Sequence, residues 1–105
     1  MDLQTLNRLM TEIYIILGWG LGSSQANVTP SRQLAERVYR ASWVDTKADG
    51  STYNVGATIR RIAPNLSVQQ GIELVLECHR AVQTHGAGTI QNMGEVPQGL
   101  RKYVN

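Results

Sequence analysis

Residues 67–85 constrain the fold more than any other part of the chain. Ser67-x-x-Gln70 is a capping-box pattern, and Leu66 is placed to staple the start of a helix. Val68, Ile72, Val75, Leu76, His79 and Val82 then recur on one helical face, with Leu74, Cys78 and Ala81 widening it. Glu73, Glu77, Arg80 and Thr84 supply a wet side, and Gly86 and Gly88 end the run. The spacing predicts a helix of about five turns. A chain of 105 residues has room for one core, so a helix this long and apolar becomes its spine.

The same helix carries the sole cysteine, Cys78, and both histidines, His79 and His85. These are the residue types that bind soft metals or move protons near neutral pH. Their spacing argues against a shared site. Cys78 and His85 are seven apart, two turns along the helix, too far for one ion to take both without distortion. Cys78 and His79 are neighbours whose side chains diverge by about 100°, so they do not form a nucleophile–base dyad. The chain has no C-x-x-C or H-x-x-x-H pair. The plainer reading is a buried small thiol and two partly buried imidazoles. Glu73 and Glu77 lie on the wet side, where solvation is the ordinary role of a carboxylate. The expectation is therefore no catalytic residues, no metal and no cofactor.

The other elements follow from local signals. A first helix is predicted over residues 2–17, capped by Asp2, with Leu3, Leu6, Met10, Ile13 and Leu17 in register and Gly18 as a stop. Gly18-Trp19-Gly20-Leu21-Gly22-Ser23-Ser24 follows. Its G-x-G-x-G spacing matches neither the dinucleotide nor the P-loop pattern, so it reads as a flexible turn with Trp19 tucked on the core. Thr29 as cap and Pro30 as first residue open a second helix, with Leu34, Val38 and Ala41 inward. Residues 43–54 read as a β-hairpin turning at Asp49-Gly50. Asp45-x-Lys47-x-Asp49-Gly50 mimics part of a calcium loop. It fails at Lys47, in an oxygen-ligand position, and at Gly56, where the bidentate glutamate belongs. A short helix over residues 55–63 places Val55, Ile59 and Ile62 inward and ends at Pro64. A helix-turn-helix reading of residues 58–77 fails, because Pro64 interrupts the first helix and Glu73 and Glu77 would face phosphates. Residues 89–105, with Pro97 and a basic-aromatic end at Arg101-Lys102-Tyr103, read as an arm on a domain formed by residues 1–88. That arm packs on this domain or on a neighbouring subunit. The expected fold is mainly α, a compact domain of about four helices with a small β-hairpin.

Charge and composition narrow the function classes. The net charge of +2 is too small for strong steering to nucleic acid or anionic membrane. Apart from Lys47 and Lys102 every basic residue is arginine, suited to bidentate contacts with phosphate or carboxylate. A lone cysteine makes no internal disulfide, which fits a reducing, cytoplasmic setting. The apolar run Ile13-Tyr14-Ile15-Ile16-Leu17 is too short to span a bilayer, so no membrane partner is expected. A signal-peptide reading of the first residues, with Ser23-Ser24-Gln25-Ala26 as its cleavage region, is weakened by Asp2 and Glu12. The leading expectation is a non-catalytic binding or assembly protein that self-associates as a homo-oligomer or joins a partner protein. The alternative is a binder of RNA, DNA or a nucleotide through an arginine-aromatic surface. That surface would use Arg32, Arg37, Arg40, Trp43, Tyr53, Arg60 and Arg61, with Tyr39 beside them. A small enzyme or metal protein built on Cys78, His79 and His85 ranks third.

Overall fold

The computed structural model describes residues 1–22 and 28–105, and is mainly helical with one small hairpin, as the sequence predicts. Four α-helices follow in order: α1 (Leu3–Ile15), α2 (Arg32–Arg40), α3 (Val55–Ile62) and α4 (Val68–His85). Strands β1 (Trp43–Val44) and β2 (Thr52–Tyr53) lie between α2 and α3. Short 3-10 turns at Met93–Glu95 and Gln98–Tyr103 complete the chain.

α4 is the spine. Its capping box forms as the sequence predicts: the Gln70 amide donates to Ser67 Oγ, and the Ser67 amide donates to Gln70 Oε1. Ile72, Leu74, Val75, Leu76, Cys78, His79, Ala81 and Val82 are all buried. That set covers far more than one stripe, because α1, α2, α3 and the last 3-10 turn surround the helix. Val68 departs from its expected inward place and is exposed, since it opens the helix beyond the reach of its neighbours.

The packing of α2 on α3 and α4 depends on Tyr39. Its ring is buried between two glycines, Gly71 of α4 and Gly56 of α3. A Cβ at Gly71 would lie 2.7 Å from Tyr39 Cε2, and one at Gly56 would collide with the Tyr39 carbonyl oxygen. Hydrogen in place of a side chain is what lets three helices close on one ring. This placement also moves Tyr39 out of the predicted surface patch and into the core.

Three boundaries differ from the sequence reading. α1 does not stop at Gly18. Ile16 and Leu17 stay buried, and the helix widens into a π-type turn over Ile16–Gly20, closed by the Leu21 amide on the Ile16 carbonyl at 2.9 Å. α2 begins after Ser31, not Thr29. Ser31 Oγ accepts from the Leu34 amide at 3.1 Å, and Leu34, Ala35, Val38 and Tyr39 are the buried face of the helix. The hairpin pairs Trp43 with Tyr53 and Val44 with Thr52, but no two-residue Asp-Gly turn closes it. Asp45 caps a longer loop by accepting from the Lys47 and Ala48 amides, while Gly50 takes φ +77°.

Residues 89–105 lie against α1 and α4. Asn7 grips Ile90 reciprocally, donating to its carbonyl at 2.6 Å and accepting from its amide at 3.0 Å. Ile90, Val96, Leu100 and Val104 are buried. The Met1 amino group donates to the Tyr103 carbonyl and the Asn105 amide to the Met1 carbonyl, which ties the two ends together. Among the described residues, no helix is long and apolar enough to cross a membrane.

Candidate functional site

The π-type turn delivers Trp19 to the surface. The turn is anchored on both sides of the indole: Leu17 is buried before it, and a Cβ at Gly20 would touch Ile16 Cδ1 and Trp43 Cβ at 3.4 Å. With Gly18 and Gly20 as its neighbours, Trp19 has no adjacent side chain to fold under. It is 65% exposed, against the expectation of a tucked indole. Beside it, Trp43 stacks on Tyr53 with centroids 5.7 Å apart and planes 23° from parallel. Such a pair is worth about 1 kcal/mol beyond its burial, so it fastens the two strands of the hairpin to each other. Trp19 and Trp43 line a cleft of about 450 Å³, whose far wall is the loop Asp45, Thr46, Lys47 and Ala48.

The seven predicted site residues divide into several groups. Arg32 leaves the set, because it ties α2 to α4 by donating to Glu73 at 3.0 Å and to the Gln69 carboxamide oxygen. Arg61 diverges from its neighbour Arg60 and sits toward α1, where its charge acts on Glu12. Trp43 and Tyr53 are half-buried and engaged with each other. Arg37 and Arg40 line a groove with Leu21, Glu36 and Ala41. Arg40 is shared with a second depression, lined also by Tyr39, Asn54 and Arg60. The structure therefore sets Arg40 beside Arg60 in one depression and beside Arg37 in another, and leaves Arg32 and Arg61 elsewhere.

The spine-helix chemistry is dispersed. Cys78 and His79 are in the core, whereas His85 is exposed on the last turn. Burial pushes the Cys78 thiol far above its ordinary pKa, with Glu77 adding to the effect, so it is held as an unreactive thiol. Among the described residues, no group of three His, Cys, Asp or Glu side chains is placed to hold a metal. The carboxylates of the calcium-like loop serve the turn instead: Asp49 accepts from the amide and hydroxyl of Ser51, which holds its carboxyl below the usual range. Ser23 and Ser24 of the glycine-bearing loop, with Gln25 and Ala26, lie outside the described residues.

Two features escaped sequence reasoning. The exposure of Trp19 was signalled by its flanking glycines, which deny it local cover. The half-buried Glu12, accepting from the Thr58 hydroxyl at 3.3 Å, was not signalled, since its partner is 46 residues away. No known protein-family model matches the chain, and no curated protein or solved structure matches it.

Proposed function

We propose that this chain is a non-catalytic assembly protein whose copies associate through the Trp19–Trp43 cleft. The carrying observation is Trp19 itself, a large apolar side chain that is 65% exposed on an anchored turn. Covering that surface on assembly removes roughly 150 Å² of indole from water, about 4 kcal/mol per copy. In the proposed two-fold arrangement each Trp19 enters the partner's cleft against Trp43, and Lys47 of one copy faces the Asp45 loop of the other. Lys47 has no ion-pair partner among the described residues, so its charge is available for that contact.

Two indoles supply about 8 kcal/mol against an association cost of at least about 4 kcal/mol. The net of at most about 4 kcal/mol gives a millimolar dissociation constant on its own, so the proposed micromolar dimer also needs the cleft walls around each indole to be buried. Sedimentation equilibrium over low to high micromolar protein tests this. The wild type is expected to pass from monomer to dimer, and Trp19→Ala to weaken the association at least a hundredfold. A wild-type monomer throughout the range, or an unchanged association in Trp19→Ala, contradicts the proposal. The non-catalytic part rests on the dispersal of Cys78, His79 and His85 and on the protonated state of the Cys78 thiol.

A further inference from the structure

Gly56 has a second consequence at the surface. Because it lets the first turn of α3 lie on the Tyr39 carbonyl, Arg40, the next residue of α2, is brought to the depression that also holds Arg60, one turn along α3. Arg60 folds back over this contact, with its Nη1 only 3.3 Å from where a Gly56 Cβ would be. Arg37 continues the same side of α2 into the adjoining groove. The charges lining the two depressions are three arginines against one acid, Glu36. Glu36 meets Arg40 only at 3.3–3.4 Å, with both side chains at least half exposed, a contact worth little in water. Arg37 and Arg60 have no ion pair among the described residues. Arg40 and Arg60 share one depression that no carboxylate among the described residues lines, which favours an anion there, and guanidinium forks match the oxygens of a phosphate.

We propose that Arg40 and Arg60, with Arg37 alongside, form a phosphate-binding site in the groove between α2 and α3. It is separate from the self-association of the Trp19 cleft. The shared chemistry is phosphate, from either a free phosphate compound or the backbone of a single-stranded nucleic acid.

The test uses two probes on the full chain at low salt: inorganic pyrophosphate by calorimetry, and fluorescein-labelled oligothymidylate by anisotropy. Wild type and Trp19→Ala are measured in parallel, so that assembly and phosphate binding are read apart. Binding of pyrophosphate alone assigns a free phosphate as the source. Binding of the oligonucleotide, with a logarithmic salt slope of about −2 for three backbone contacts, assigns nucleic acid. Either result is expected to weaken about tenfold or more in Arg40→Gln and in Arg60→Gln, and to persist in Arg32→Gln, whose guanidinium is committed to Glu73. All three arginines are exposed, and a circular dichroism melt checks that the variants stay folded. Binding of neither probe, binding that survives both groove substitutions, or an equal loss in Arg32→Gln overturns the proposal.

Discussion

Gly71→Ala sets two effects of known sign against each other. Gly71 lies inside α4, where exchange for alanine ordinarily stabilises a helix by about 1 kcal/mol. Here the new methyl would sit 2.7 Å from Tyr39 Cε2, 3.4 Å from Cζ and 3.5 Å from Ile59 Cγ2. Carbon contacts are comfortable at about 3.5–4.0 Å, so the ring must retreat by roughly 1 Å. Tyr39 is 5% exposed and Ile59 1%, and a core this closed does not yield freely. Overpacking of this kind costs about 1–3 kcal/mol, and a 2.7 Å approach to a caged ring belongs at the upper end. Subtracting the helix gain leaves a loss of about 1–2 kcal/mol. For a domain of this size that lowers Tm by roughly 4–12 °C. Thermal unfolding followed by circular dichroism measures the shift. Repeating the substitution in a Tyr39→Leu background, which lacks Cε2 and Cζ, is expected to turn it neutral or stabilising. A single variant as stable as wild type, or the same loss in both backgrounds, would refute the account of α2 packing on α4.

Two further outcomes follow from buried groups. Cys78 is fully buried with its thiol pKa pushed up, so a thiol-specific disulfide reagent at mildly alkaline pH is expected to leave the native protein unlabelled and to react fully once urea unfolds it; prompt stoichiometric labelling of the native state contradicts this burial. Burial also raises the Glu12 carboxyl, outweighing the Thr58 hydroxyl and the attraction of Arg61 and Arg8. With the folded pKa above the unfolded one, the stabilising contribution is complete below the unfolded value and is lost as pH rises through the folded value. Glu12→Gln is therefore expected to be more stable than wild type at neutral pH, with the difference closing as pH falls below the ordinary glutamate range. A difference that is constant with pH in urea titrations would show that Glu12 is not desolvated by folding.

Elements whose signals are local were legible in the sequence. The Ser67–Gln70 box, the Asp2 cap and the apolar stripe of α4 all depend on residues within a few turns of one another, and apart from the exposed Val68 they form as read. Signals that compete were not. Thr29-Pro30 and Ser31 both mark a helix start, and it is the Ser31 hydroxyl that caps α2, on the Leu34 amide. Gly18 is a good stop by propensity, but the burial of Ile16 and Leu17 carries the chain past it into a wider turn. The arginine surface was legible as composition and not as geometry. Whether Arg32 joins Arg40 or Glu73 depends on how α2 lies on α4, a contact between residues 41 apart in the chain. Arg40 and Arg60 become neighbours only through the glycine contact of α3 on α2.

The claim that copies of the chain meet at Trp19 is tested most directly by fluorine NMR of protein labelled with 5-fluorotryptophan. Two tryptophans give two resonances, assigned by Trp19→Phe. On dilution from high to low micromolar protein, the Trp19 resonance is expected to shift toward that of a solvated indole, with a smaller shift at Trp43. Resonances at fixed positions over the whole range would contradict assembly through this cleft.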